Sequence, residues 1–293
     1  HRDLHSFPTR RSSDLGATGL PVNQSTALAR AVSLSASNTI MQNQLNLGGN
    51  EISFPNYKTI TITARRTVPL FFTRITGRNS VTIAATATAQ CGNRDIILVF
   101  DRSGSMDDDT KDIKKPQPIT TAKEAAYYLI DQIAASTFTV DRMGLVSYSD
   151  NASLDHSLDR GFSQMKSDIK AYIADGNTNI GEGINKAMNH LNGSSPSNTK
   201  KTIILFSDGM ANKPGSGMPT NSTAKNYAIS KATSAKNSNI RIYTISLGSE
   251  TDPSLMQQIA SITSGKYYYA PTAADLYAVY EDIVKRIPVR LVG

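Results

Sequence analysis

The sequence has one cysteine and no tryptophan among its 293 residues. A single cysteine, Cys91, cannot form an intrachain disulfide, so the cysteine count neither supports nor excludes a place in the cell envelope. The chain also lacks the G-x-x-x-x-G-K-[ST] loop that binds nucleotide phosphates and the G-x-S-x-G turn that carries a nucleophilic serine. These absences exclude phosphate-loop nucleotide hydrolases and serine hydrolases with that turn.

Histidine is scarce as well. Beyond the first five residues the sequence has His156, in a predicted edge strand, and His190, near a predicted helix end. We expect both side chains to be solvated rather than catalytic. The segment D-R-S-G-S differs from the D-x-D-x-[TV] of aspartyl phosphatases because Ser103 replaces the second acid. Since no nucleophile and base are paired in the sequence, it predicts a binding protein rather than an enzyme.

Acidic residues are rare in the first third of the chain. Residues 1–94 contain 10 basic and 3 acidic side chains, whereas residues 95–293 contain 21 of each. The net charge of +7 therefore belongs to the amino-terminal segment. The arginines that characterise this segment are Arg65, Arg66, Arg74 and Arg78. One interpretation is contact with anionic lipid or nucleic acid. We favour a solvated strand face and expect no nucleic-acid partner, because no aromatic residues alternate with the charges.

The most informative segment is D-I-I-L-V-F-D-R-S-G-S at residues 95–105. Its apolar run is typical of a strand buried on both faces. Asp101 ends that run, and Ser103 and Ser105 follow in the next loop. A carboxylate and two hydroxyls on one loop form a cluster of hard oxygen ligands, which suits Mg²⁺ or Mn²⁺ better than a thiophilic metal. The sequence therefore predicts a divalent-cation site here.

The spacing D-x-S-x-S resembles the metal-ion-dependent adhesion site (MIDAS) of von Willebrand factor A (vWA) domains. The resemblance implies two further ligands. Thr178 stands at the expected place in D-G-N-T-N-I-G, and Asp208 follows the apolar run in K-K-T-I-I-L-F-S-D-G. The implied metal ligands are thus Asp101, Ser103, Ser105, Thr178 and Asp208. An ordinary capping acid at Asp101 and an Asp-Gly turn at Asp208 are the plainer interpretations of each acid taken alone.

Strand and helix patterns alternate through the rest of the chain, which predicts an α/β fold with a doubly wound, mostly parallel sheet flanked by helices. The predicted strands after the first lie at about 143–148, 152–158, 202–206, 240–247 and 267–270, and the second of these is predicted to be an antiparallel edge. The predicted helices lie at about 122–133, 162–173, 180–192, 222–236, 253–263 and 272–287. Because parallel strands share their carboxyl edge, Asp101 and Asp208 are expected at the same edge of the sheet.

Residues 93–288 are therefore predicted to form a vWA domain, preceded by a small helix-plus-β segment. Residues 1–15 look like the translation of a sequencing adapter, so we exclude them as an artefact and expect the true amino terminus to lie upstream. In residues 16–92, the pattern predicts a helix over 22–46 that Gly48 and Gly49 end, and then strands with a period of two.

The phrase V-P-L-F-F…S-V-T-I-A-A-T-A-T-A in this segment resembles the amino-terminal region of TadE/TadG-type proteins of bacterial Tad pilus assembly. The resemblance implies a membrane-proximal stub whose membrane anchor lies in the missing amino terminus.

The sequence leaves two functions open. The first is a metal-dependent adhesion or pilus-assembly module at the bacterial cell envelope, where the bound cation engages an acidic side chain of a partner protein. The alternative is an intracellular vWA subunit of a metal chelatase or an ATPase-linked complex. We favour the first because the amino-terminal segment is typical of an exported, membrane-anchored protein. The loops at about 106–117 and 210–221 should rim the site and select partners. The acids Asp107, Asp108 and Asp109 lack calcium-loop spacing, so we expect a solvated loop there.

Overall fold

The computed structural model describes residues 13, 16, 24–36, 39–40, 43–44, 47–56, 59–69, 79–90, 93–107, 118–135, 141–197, 199–214, 222–247, 251–270 and 273–286. The chain divides into two compact units. The first lies mainly within residues 1–93, and the second spans 94–135 and 140–287. Within the described ranges, no helix is both long and apolar enough to cross a membrane.

The described part of the first unit combines a helix with strands of two to eleven residues. Its elements are α1 (Gln24–Ala36), β1 (Thr39–Ile40), β2 (Asn43–Gln44), a 3₁₀ turn (Gly49–Glu51), β3 (Ile52–Asn56), β4 (Thr59–Pro69) and β5 (Ser80–Gln90). β1 and β2 pair antiparallel, and β3, β4 and β5 form an antiparallel sheet in that order. The small core contains Ala27 and Ala31 of α1 against Ile60 and Ile62 of β4.

The predicted helix over residues 22–46 is wrong beyond Ala36, because residues 39–40 and 43–44 form the antiparallel β1–β2 pair. β-Branched Thr39 and Ile40 and the nearby Asn38 and Asn43 are poor helix formers, and they outweigh the scattered apolar residues that suggested a longer helix. The predicted strands of period two are confirmed. Ile60, Ile62 and Ala64 are buried on one face of β4, while alternate threonines lie on the other.

The second unit is an α/β fold, as predicted. Its strands are β6 (Arg94–Asp101), β7 (Arg142–Tyr148), β8 (Ala152–Asp159), β9 (Lys200–Ser207), β10 (Ile240–Leu247) and β11 (Tyr267–Ala270). Its helices are α2 (Pro118–Ala134), α3 (Phe162–Lys170), α4 (Ile180–Ser194), α5 (Ser222–Asn237), α6 (Pro253–Ile262) and α7 (Ala273–Arg286). A short 3₁₀ turn spans Gly104–Asp107. The strand order is β11-β10-β9-β6-β7-β8, and β8 is the antiparallel edge.

Helices cover both faces of this sheet, because β6 directs alternate side chains to opposite sides. Ile96, Leu98 and Phe100 pack with α2, α3 and α7, whereas Ile97 and Val99 pack with α4, α5 and α6. On α7, which confirms the helix predicted at about 272–287, the buried stripe contains Leu276, Val279, Tyr280 and Ile283. The ends of that predicted helix, residues 272 and 287, lie outside the described residues. Both faces of the central strands are thus desolvated, which leaves the sheet edges for function.

Candidate metal centre

The carboxyl edge of the central sheet holds both predicted carboxylates. β6 and β9 are adjacent and parallel, with Val99 opposite Leu205. Asp101 is the last residue of β6, and Asp208 follows directly after β9. Asp101 is fully buried and Asp208 is 7% exposed. The prediction that the two acids share one sheet edge is confirmed.

The Asp101 carboxylate is held by three kinds of donor. Its Oδ1 accepts the backbone N–H of Ser103 at 2.9 Å, and its Oδ2 accepts the hydroxyls of Ser207 at 2.7 Å and Tyr148 at 3.0 Å. Burial raises the pKa of Asp101 above its usual range, although these hydrogen bonds act in the opposite direction. Among the described residues, no Lys, Arg or His forms an ion pair with Asp101. This carboxylate is therefore desolvated and lacks a balancing positive charge from those residues.

The two serines link Asp101 to Asp208. Ser103 Oγ lies 3.2 Å from Ser105 Oγ, and the Ser105 hydroxyl donates to Asp208 Oδ1 at 2.8 Å. Ser103 is buried, whereas Ser105 is exposed. The row of oxygens thus runs from the fully buried Asp101 to the solvent at Ser105. A site with one open side can bind an ion and still be reached by a partner.

Thr178 comes to the same place on the loop that precedes α4. Its N–H donates to Asn212 Oδ1 at 2.7 Å, and Asn212 N–H donates back to the Thr178 carbonyl at 3.1 Å. Gly209 allows this approach: a Cβ at that position would lie 3.1 Å from Ser105 Oγ and 3.4 Å from Thr178 Oγ1. Both hydroxyls therefore border the space above Gly209. The loop after β9 and the loop before α4 are locked together by these hydrogen bonds.

A second set of contacts fixes the loop that carries the serines. Gly104 N–H donates to the Gly176 carbonyl at 2.9 Å, and Asp175 N–H donates to the Arg102 carbonyl at 2.8 Å. Gly176 has a φ of +82°, and a Cβ there would lie 2.5 Å from Asp150 Oδ2. The turn therefore requires glycine. Backbone hydrogen bonds, rather than the ligand oxygens alone, hold the site in shape.

The five predicted side chains supply two carboxylates and three hydroxyls and no nitrogen or sulfur. Such a set suits a hard divalent cation. The described part of the chain contains no group of three or more His, Cys, Asp or Glu that could hold a metal, and this site has two acids, with hydroxyls as its other oxygens. The buried Asp101 without an ion pair is the observation that best fits a cation-binding role for this edge. The role of the five residues as metal ligands stays a prediction.

Sequence reasoning missed the residues that support the ligands. Ser207 precedes Asp208 directly, and Tyr148 ends β7 opposite Asp101 in the parallel register. Knowledge of the strand order would have predicted both residues, because β7 and β9 lie on either side of β6 and bring these two hydroxyls beside the Asp101 carboxylate. Nothing in the sequence indicated that Asn212 contacts Thr178, because asparagine is common in loops. Of the predicted rim loops, residues 108–117 and 215–221 lie outside the described residues.

The histidines are less exposed than predicted. His156 is 9% exposed, and its ring nitrogens lie 3.0 Å from Asp168 Oδ2 and 2.9 Å from Asp159 Oδ1. His190 Nε2 accepts the Leu158 N–H at 3.1 Å, and burial lowers its pKa. The solvated interpretation is therefore wrong for His156. It failed because residues on an edge strand are buried where a helix, here α3, crosses them.

Comparison with known proteins agrees with this geometry. The profile of the von Willebrand factor type A domain matches residues 95–282. A UPF0353 protein of Mycobacterium tuberculosis is 28% identical over 215 residues, which are 66% of this chain and 60% of that protein. The chain thus spans about 60% of the length of the curated relatives it matches.

Two solved structures share the fold. The PilB minor pilin of Streptococcus sanguinis has a TM-score of 0.56 at 17% identity, covering 80% of this chain and 76% of that one. Proximal thread matrix protein 1 from the mussel byssus, with a zinc-occupied MIDAS motif, has a TM-score of 0.51 at 21% identity, covering 67% and 46%. At these identities the likeness concerns the fold alone. With the profile match over residues 95–282, it shows that the chain belongs to the von Willebrand factor type A domain family.

Proposed function

We propose that this chain is a metal-dependent protein-binding module of the bacterial cell envelope. The residues that would hold the metal are Asp101, Ser103, Ser105, Thr178 and Asp208. The observation that carries the proposal is the fully buried Asp101 carboxylate, which has no ion pair within the described residues and begins a row of oxygens that opens to solvent at Ser105. The hard oxygen set favours Mg²⁺ or Mn²⁺. The zinc in the MIDAS motif of the byssus protein supports a divalent ion at this kind of site.

The protein's own residues prepare this site before any partner arrives. Ser207 and Tyr148 hold the Asp101 carboxylate in one orientation, so little reorganisation is needed on metal binding. Asn212 fixes the backbone of Thr178. A divalent cation, when bound, supplies a positive charge that an acidic side chain of a partner can bind. We propose this binding role in place of a catalytic one.

The loops that carry Thr178 and Asp208 also expose large apolar side chains, which suits a protein partner. Ile173 is 76% exposed on the loop before α4, and Met210 is 39% exposed directly after Gly209. Apolar side chains of this size are common at the centre of protein interfaces. We propose that the acidic residue of the partner lies next to an apolar one that contacts this rim.

The cellular setting is also a proposal. The segment at residues 16–92 would be a TadE/TadG-like, membrane-proximal stub whose anchor lies upstream, and pilus or other surface components would be the partners. The likeness of the fold to the PilB minor pilin supports a surface role.

Calorimetric titration with Mg²⁺ and Mn²⁺ tests the metal site. We expect one ion per chain and no measurable binding by the Asp101→Ala variant. Asp175→Ala is the matched control, because Asp175 is exposed on the same edge and contributes only its backbone N–H to the described contacts. Far-ultraviolet circular dichroism checks that both variants are folded. Equal metal affinity in the parent and Asp101→Ala would refute the site.

Selection from a displayed peptide library in Mg²⁺ tests the partner chemistry. Selected peptides should contain Asp or Glu, and their binding should disappear in EDTA, after Asp→Asn or Glu→Gln replacement in the peptide, and with Thr178→Ala in the protein. Peptide binding that survives chelation would contradict metal-dependent recognition. It would leave the metal site itself to the calorimetric result.

A further inference from the structure

The edge strand β5 of the first unit has no charged residue over its eleven positions, S-V-T-I-A-A-T-A-T-A-Q. Val81 is 43% exposed and Ile83 is 57% exposed. Among the described residues, β5 pairs with β4 alone, so its outer backbone groups face no other strand. A long, uncharged edge without proline is the kind that pairs with another strand.

The opposite edge of the same sheet is built differently. β3 has five residues, includes Pro55, and carries a register shift between Ser53 and Asn56. Short length, proline and an irregular register are the devices by which proteins block an edge. Among the described strands, the sheet thus has one blocked edge and one open edge, and β5 is the edge that favours strand addition.

The sequence of β5 complements itself when it is reversed. An antiparallel pair of two β5 strands centred on Ala85 places all eleven residues opposite a partner. Thr82 then lies opposite Thr88 of the second strand, and Ile83 lies opposite Ala87. Residues directly opposite in an antiparallel pair point to the same face. The threonine-rich face of one β5 strand therefore continues into the threonine-rich face of the other, and the apolar face continues into the apolar face.

The same pairing continues a pattern already present between β4 and β5. Hydroxyl pairs join the two strands at 3.0–3.1 Å. They are Thr61 with Thr88, Thr63 with Thr86, and Thr67 with Thr82. A second β5 would extend this row of threonines on one face. On the other face it would place the exposed Val81 and Ile83 beside the small side chains of Ala89 and Ala87.

We propose that β5 is a self-association site, where two copies of this chain join their three-stranded sheets into one six-stranded antiparallel sheet. The contact is isologous and closes after two copies, because the remaining edges are the blocked β3 strands. A strand pair with few side-chain anchors is smaller than a standard stable interface. The dimer should therefore dissociate on dilution.

Sedimentation of the full chain over a range of concentrations tests the dimer, with charges at Ala84 as the probe. Ala84 is exposed and lies opposite Arg65 within the sheet. Ala84→Glu should leave the single chain folded, because the new carboxylate faces that arginine. In the dimer, the two introduced carboxylates lie diagonally across the two-fold axis and repel each other. We expect the dissociation constant to rise at least about 10-fold, a change of about 1.4 kcal/mol.

Mixing with the oppositely charged variant sharpens the test. Ala84→Lys alone should also weaken the dimer, whereas Ala84→Glu mixed with Ala84→Lys should form a heterodimer at least as tight as the parent. Val32→Glu is the matched control, since Val32 is an exposed apolar residue of the same unit on α1. It should leave the dissociation constant unchanged.

Cross-linking checks the register in a Cys91→Ser background. A short bis-maleimide should join a Thr82→Cys chain to a Thr88→Cys chain. It should not join two Thr82→Cys chains, whose thiols would be about 20 Å apart along the strands. The proposal is overturned by a chain that stays monomeric up to its solubility limit, by a dimer that Ala84→Glu does not weaken, or by assemblies larger than two.

Discussion

Buried charges at the two ends of β6 differ in whether an opposite charge accompanies them. At its start, Arg94 pairs with the fully buried Asp141, and the buried Asp95 pairs with Arg142 at 2.6 Å. At its end, Asp101 is equally buried but is held only by hydroxyl and amide donors among the described residues. One strand of eight residues thus carries balanced charges at one sheet edge and an unbalanced carboxylate at the other.

This difference distinguishes buried charges that the fold itself balances from a buried charge that a ligand would balance. A buried charge is costly unless a charge of opposite sign accompanies it. The amino edge meets this requirement with the protein's own residues, so those pairs need no ligand. At the carboxyl edge the described residues leave it unmet, which is the expected condition of a site whose counter-charge is a bound cation. Perturbed, buried acids in clefts are good candidates for functional sites for this reason.

Breaking the balance at the amino edge should have the largest effect on stability. Asp141→Ala leaves the buried Arg94 without this carboxylate, and loss of one partner of a buried pair costs about 3–5 kcal/mol. Urea denaturation of the full chain in EDTA measures the loss. The Mg²⁺ affinity of the folded variant should be unchanged, because the pair lies at the opposite edge. A loss below about 1 kcal/mol would mean that the pair is not a structural element.

A smaller effect is expected when the donors around Asp101 are weakened. Ser207→Ala removes the hydroxyl that donates to Asp101 Oδ2 at 2.7 Å, and loss of such a supporting group weakens metal binding about 10-fold or more. Ser246→Ala is the matched control, since Ser246 lies opposite Ser207 on β10 and is equally buried, while its hydroxyl has no hydrogen-bond partner among the described residues. Calorimetry should show weaker Mg²⁺ binding in the first variant alone. Equal affinities would exclude this serine from the support of the site.

The smallest effect is expected at an exposed pair. Lys166 Nζ lies 2.5 Å from Asp131 Oδ1, and the two side chains are 32% and 61% exposed, respectively. Lys166→Ala should cost about 0.5 kcal/mol or less, because solvent and salt screen such pairs. Urea denaturation at low and high salt measures this cost. If Lys166→Ala lowers the free energy of unfolding about as much as Asp141→Ala, burial does not explain the difference between the buried and the exposed ion pair.

Much of the second unit was predictable from the sequence. Its strands are continuous apolar runs and its helices carry clear stripes, so local pattern and tertiary burial agree. Asp101 and Asp208 were placed together because parallel strands share an edge. Thr178 required the family resemblance, since nothing local connects a loop threonine to β6. Asn212 could not be predicted, because its role depends on how two loops meet.

The first unit was less predictable. The helix was extended past Ala36 because scattered apolar residues can be matched to a helical period, while the β1–β2 pair depends on contacts of only two residues per strand. The sequence predicts only in part that β5 is an edge strand open to pairing. The absence of charge is visible in the sequence, but its edge position follows from the observed strand order.

The most direct test of a cation site at Asp101 measures the unfolding of the parent chain and of Asp101→Asn, each in EDTA and in Mg²⁺ at pH 7. In EDTA the variant should be the more stable by about 1 kcal/mol, or roughly 2–4 °C for a domain of this size, because it removes a buried carboxylate that has no cation. In Mg²⁺ at about 100 times its dissociation constant the parent should gain about 2.7 kcal/mol, whereas the variant should gain nothing. The order of stability would then be reversed. If Mg²⁺ stabilises both proteins equally, stabilises neither, or if Asp101→Asn is the less stable in EDTA, Asp101 is not the core of a cation site.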